Sequence, residues 1–124
     1  MMKIVLKIPA VLIALAIWFL SSQTTLPQPK GILGFDKVQH LIAYAAFAGA
    51  IGLWFSLDQE KGRVFKTMLV IVVIASIYGI SDEIHQSFVP GRNASVWDWV
   101  ADTLGAMLGA AAILAIARRI ERKV

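Results

Sequence analysis

The run TMLVIVVIASIYGIS, Thr67–Ser81, followed at once by Asp82 and Glu83, decides how this chain is expected to fold. Its 15 residues carry no charge and read as helix. At 1.5 Å per residue such a helix reaches about 22 Å, short of the ~30 Å hydrocarbon core of a bilayer. To span, it must take in Asp82 and Glu83. A second run, TLGAMLGAAAILAIA at Thr103–Ala117, has the same length and the same shortfall. It must begin near Asp98 and carry Asp98 and Asp102 in its first turns. Acidic side chains are therefore expected at, or just inside, one membrane face.

The rest of the chain fits this frame. It has 124 residues, 58% hydrophobic and 16% charged, with no cysteine. Mean hydropathy is +0.71. Soluble domains are roughly 45–50% apolar and about 25% charged, so a disordered chain is excluded and a soluble globule is a poor fit. The absence of cysteine removes disulfides and thiolate metal sites. Two further apolar stretches precede Thr67, giving expected helices over about 4–22, 36–57, 63–86 and 96–118. The expected architecture is a single all-α domain, 1–124: a polytopic membrane protein built as a bundle of four transmembrane helices.

The first stretch has Lys3 and Lys7 ahead of it, like a signal peptide. The sequence after Leu20, Ser21-Ser22-Gln23-Thr24-Thr25, offers no small-residue cleavage site, so a retained span is expected. Pro9 is tolerable in a first helical turn. Leu26-Pro27-Gln28-Pro29-Lys30-Gly31, Asp58-Gln59-Glu60-Lys61-Gly62 and Pro90-Gly91-Arg92-Asn93 read as connections. Ser95 followed by Asp98 resembles a capping box, placing the start of the fourth helix there.

Lysine and arginine set the orientation. Four spans put both termini on the same side as the loop around residue 60. That side holds Lys3, Lys7, Lys61, Arg63, Lys66, Arg118, Arg119, Arg122 and Lys123; the other holds Lys30, Lys37 and Arg92. The positive-inside bias then makes both termini cytoplasmic. The net charge of +4 is thus an orientation signal, and no nucleic-acid partner is expected. Trp18, Trp97 and Trp99 near one interface, and Trp54 near the other, read as aromatic-belt anchors.

On this topology one polar set converges on the outer face. It comprises Asp36, Lys37 and His40; Asp82, Glu83, His85 and Gln86; Arg92; and Asp98 and Asp102. Asp36 with His40, Asp82 with Gln86, and Asp98 with Asp102 are each four apart, so each pair shares a helical face. Ionisable groups in a span cost roughly 2.5–3.5 kcal/mol each and mark function by default. Plainer readings stand beside this one. Asp98 can be a helix cap. Asp82 and Asp102 can be paired by Arg92 and Lys37. His40 can be a hydrogen-bonded core residue. Three chemistries are open for the set: binding an amphiphile's head group around Arg92, acid–base catalysis with His40 as base, or metal binding. No two histidines share a metal spacing and no H-E-x-x-H occurs, so neither metal nor cofactor is expected. Gly105 and Gly109 form a G-x-x-x-G suited to close helix packing, either within the chain or in a homodimer. Ala45, Gly49 and Gly52 serve packing on the second helix.

Several segments together carry a resemblance. They are Asp36–Tyr44 (DKVQHLIAY), Ser81–Arg92 (SDEIHQSFVPGR) and Ser95–Gly105 (SVWDWVADTLG), with Gly109 one turn on and Ser21-Ser22-Gln23 after the first helix. In order and combination they resemble the VanZ-like family of small bacterial membrane proteins, across almost the whole chain. Asp102 stands where many members have Asn. The resemblance implies a four-helix integral protein of the bacterial cytoplasmic membrane. The family's namesake is linked to resistance to teicoplanin, a lipid-bearing glycopeptide that acts outside that membrane. The implied partners are the bilayer and a lipid-linked envelope component or lipoglycopeptide. The expected ligand-binding residues are Asp36, Lys37, His40, Asp82, Glu83, Gln86, Arg92, Asp98 and Asp102. An intramembrane hydrolase or transferase acting on lipid head groups, or an assembly protein, are the alternatives.

Overall fold

The computed structural model describes residues 2–27, 29, 31, 33–55 and 63–123. Among them there are helices and turns and no strand. A one-turn helix α1 (Met2–Val5) precedes four longer ones: α2 (Ile8–Ser21), α3 (Phe35–Gly52), α4 (Val64–Ser87) and α5 (Val96–Glu121).

Three boundaries differ from the sequence expectation. The first helix is broken at Leu6-Lys7. Pro9 cannot donate to the Val5 carbonyl and its ring crowds it, so α1 ends at Val5 and α2 restarts with Pro9 in its first turn. The second helix stops at Gly52 instead of residue 57. There Leu53, Trp54 and Phe55 donate to carbonyls three residues back, which tightens the end into a turn. The expected turn at 58–62 lies outside the described residues. The fourth helix runs three residues beyond 118. Ser95 caps it, but not as a capping box: its Oγ accepts from the Trp97 N–H at 3.2 Å, and the Asp98 carboxylate turns to Lys37.

Helix α3 packs most closely on α5. Glycine makes this possible. A Cβ on Gly105 would collide with the Leu41 carbonyl, and one on Gly109 with the Ala45 carbonyl. Both glycines of the G-x-x-x-G thus face α3 within the chain. The matched positions ascend together, so α3 and α5 run in the same direction. Contacts of Ala14 with Tyr78 and Ser21 with Gln86 show that α2 and α4 are likewise parallel. The core is small-residue rich: Ala48, Ala75, Ala106 and Ala110 are fully buried beside Tyr44, Ile51 and Ile71. Large apolar side chains such as Phe19, Phe65, Ile77, Ile84 and Leu108 point outward. The bundle is apolar on its outer surface as well as in its core. Val64–Ser87 and Val96–Ile120 are long and apolar enough to cross a membrane, and Ile8–Ser21 is a shorter apolar helix.

Two loops are drawn together at one end. Gly91 (φ 82°) turns the chain between α4 and α5, and a Cβ there would stand 3.3 Å from the Thr24 carbonyl oxygen, after α2. Gly34 (φ 76°) takes a left-handed conformation that only glycine adopts without strain, and α3 starts from it. Both turns gather the polar ends of the helices on one side of the bundle.

Replacing Gly109 by Leu forces α3 and α5 apart. The expected loss is about 1–3 kcal/mol, the cost of overpacking a close contact. Thermal unfolding in detergent measures it, and an unchanged midpoint would show that the backbone approach does not matter.

Candidate functional site

The polar residues expected from the sequence do converge at that end, in a pattern of pairs that differs from the expected one. Asp82 and Asp102 are fully buried, Gln86 and Asp98 nearly so, and Glu83 is 8% exposed. Each of these carboxylates needs a partner, because an unpaired buried charge is costly.

From α3, Lys37 reaches both Asp36 (2.8 Å) and Asp98 Oδ1 (2.9 Å). His40 Nδ1 meets Asp102 Oδ1 at 2.8 Å, with Glu83 Oε1 at 4.0 Å. From α4, the Gln86 amide donates to Asp82 Oδ2 at 3.1 Å, so this i,i+4 pair is real. Arg92 donates from Nη2 to the side-chain oxygen Oε1 of Gln86 at 3.0 Å. The Ser95 N–H, at the entry to α5, donates to Glu83 Oε2 at 2.8 Å. The expected pairing of Asp82 and Asp102 with Arg92 and Lys37 is therefore replaced. Lys37 serves Asp98, His40 serves Asp102, and Arg92 is joined to Asp82 only through Gln86. Helical geometry explains the exchange. Lys37 and His40 are three apart on α3, Asp98 and Asp102 four apart on α5, and the parallel helices match them in order.

Gly79 completes the seat of Asp102. A Cβ at Gly79 would lie 2.9 Å from Asp102 Oδ2, so the glycine makes room for the carboxylate. Among the described residues, Asp82 Oδ1, Glu83 Oε1, Asp102 Oδ2 and the Tyr44 hydroxyl are buried without a hydrogen-bond partner.

A cleft of about 520 Å³ opens beside this cluster, between α2, α3 and α4. Asp36, Gln39, His40, Asp82 and Arg92 line its polar part; Ile17, Leu20, Leu26, Pro27, Ile42 and Ala43 line the rest. Four of the nine expected residues thus face the cleft. Gln86 stands behind Arg92, and Asp102 behind His40. Lys37, Asp98 and Glu83 do not line it.

Sequence reasoning missed the contribution of α2. Ser21 Oγ accepts from the Gln86 amide (3.4 Å), and Ser22 Oγ lies 2.9 Å from His85 Nε2. Trp18 stacks on the His85 ring at 3.9 Å between centroids. Polar residues closing an otherwise apolar helix were the available signal. Trp99, read as a belt anchor, is tied inside: its indole N–H donates to Ser76 Oγ (3.0 Å) and to the Ser76 carbonyl (3.2 Å). Trp97 is exposed.

The VanZ/LLP1 family model matches residues 2–118. The chain belongs to this family. No curated protein and no solved structure matches the chain. The matched range takes in every polar residue described above.

Removing Lys37 tests the pairing. Lys37→Met leaves the Asp98 carboxylate buried without its cation, for an expected loss of about 1–3 kcal/mol. The double variant Lys37→Met with Asp98→Asn should recover part of that loss. Equal stability of the single and double variants in a denaturant titration would show that the two side chains are not coupled.

Proposed function

We propose that this VanZ/LLP1-family chain is a four-span protein of the bacterial cytoplasmic membrane. It binds an amphiphile by its head group at an outward-facing polar cluster. The cleft carries this reading: Arg92, His40 and two carboxylates stand at its polar part, and an apolar wall of Leu20, Leu26, Ile42 and Ala43 continues from them. Such a shape suits one polar group attached to a hydrocarbon tail. Arg92 supplies the contact to an anionic head group, and Gln86 holds its guanidinium in place. The ligand class is a lipid-linked envelope component or a lipoglycopeptide such as teicoplanin, and sequestering it is the route from this site to glycopeptide resistance.

The parallel pairs α2/α4 and α3/α5 support an up-down bundle with both termini on one side. The basic residues favour the cytoplasm for that side. The absence of native cysteine gives a clean test. Ala94→Cys, in the exposed loop before α5, should react with an impermeant maleimide on intact cells. Arg119→Cys should react only after permeabilisation. The reverse pattern would invert the topology.

Ligand binding is tested in detergent with a dye-labelled prenyl-phosphate lipid and with teicoplanin. Arg92→Ala should weaken binding at least tenfold, a loss of about 1.4 kcal/mol, and Asp82→Asn should also weaken it. If neither probe binds, or all three proteins bind equally, the reading falls.

The His40–Asp102 pair at 2.8 Å favours a second reading. A carboxylate holding one ring nitrogen leaves the imidazole oriented to act as a base at the cleft. An intramembrane hydrolase or transferase would then show turnover of a lipid head group that His40→Ala abolishes while the helical content survives.

A further inference from the structure

The buried carboxylates outnumber the cations that reach them. Asp82, Glu83, Asp98 and Asp102 all lie in the interior. Among the described residues, Lys37 and His40 are the basic side chains within ion-pair distance of any of them. Glu83 has one oxygen on the Ser95 N–H, while Oε1 is buried without a hydrogen-bond partner and points to His40 at 4.0 Å. Oδ2 of fully buried Asp102 is likewise unpartnered. Ligand atoms of His40, Glu83 and Asp98 all lie within 4.8 Å of one another. One residue comes from each of α3, α4 and α5.

We infer that His40, Glu83 and Asp98 form a binding site for a divalent transition-metal ion. Three groups tetrahedrally disposed around one ion at 2.0–2.1 Å stand about 3.4 Å apart. The cluster therefore needs to contract by roughly an ångström or less at each side chain. An imidazole nitrogen with carboxylate oxygens favours zinc or manganese over magnesium or calcium, which prefer all-oxygen shells. The surroundings of the cluster fit this role. The Ser95 N–H holds the outer oxygen of Glu83, leaving Oε1 turned to the centre. Asp102 Oδ1 lies 2.8 Å from the same ring nitrogen, Nδ1, that faces Glu83, and adds a further carboxylate oxygen at the edge of the cluster. Lys37 donates to Asp98 Oδ1 at 2.9 Å, which restrains that carboxylate. A dication also supplies the positive charge that the buried carboxylates lack.

The site shares His40 with the cleft but does not rest on the amphiphile reading, because metal binding requires no lipid there. The protein is purified in detergent without a histidine tag, stripped with a chelator, and titrated with Zn²⁺ and with Mn²⁺. One equivalent per chain is expected. Glu83→Gln and Asp98→Asn should each weaken binding at least tenfold, whereas Ser81→Ala, on the exposed face of α4, should bind as the wild type does. Less than about 0.1 equivalent of either metal would overturn the proposal. So would retention of full affinity in both carboxylate variants, which would mark adventitious surface binding. Should the variants fail to fold, pulsed electron paramagnetic resonance of wild-type protein loaded with Mn²⁺ decides. Imidazole nitrogen coupling is expected, and its absence overturns the assignment.

Discussion

The backbone contact between α3 and α5 governs the rest of the molecule. Gly105 and Gly109 let α5 lie against the carbonyls of Leu41 and Ala45. Where lipid surrounds a protein, hydrophobic burial gives little drive for helices to associate, and close packing with polar contacts must replace it. Here the two are coupled. The same approach that joins the glycines to α3 brings Asp98 to Lys37 and Asp102 to His40, about one turn toward the helix N-termini. Larger residues at the glycine positions would separate the helices and leave both carboxylates buried and alone.

The helix pattern was legible because apolar runs and charge boundaries are local features. The ends of α4 and α5 follow directly from the need to include Asp82 with Glu83 and Asp98 with Asp102. The break before α2 was less legible: Pro9 signalled a helical start, but Lys7 and Leu6 carry no breaker of their own. The end of α3 at Gly52 was also hidden, since the residues beyond it are apolar and read as more helix.

The membership of the polar cluster was readable from periodicity, but its pairing was not. Four-residue spacing shows which side chains share a face, yet it says nothing about the register between helices. That register is set by Gly105 meeting Leu41, a contact between residues far apart in sequence. The grouping of His40, Glu83 and Asp98 was invisible for the same reason. A metal motif on one helix announces itself by spacing; three ligands on three helices do not. Gly79 shows the limit most clearly. In sequence it is a small residue inside an apolar helix, while in the fold it is the space that the Asp102 carboxylate fills.

The rim of the cleft has a consequence for measurement. Leu20 and Ile42, which line its apolar part, are 46% and 61% exposed, so that side of the opening is bordered by apolar side chains. In the proposed placement a ligand arrives sideways, diffusing in two dimensions within the leaflet. Occupancy then follows the ligand's mole fraction among the lipids, and the surrounding lipid competes as a solvent. A dissociation constant quoted in molar units would shift with the amount of detergent or lipid present, even though the contacts at Arg92 stayed the same.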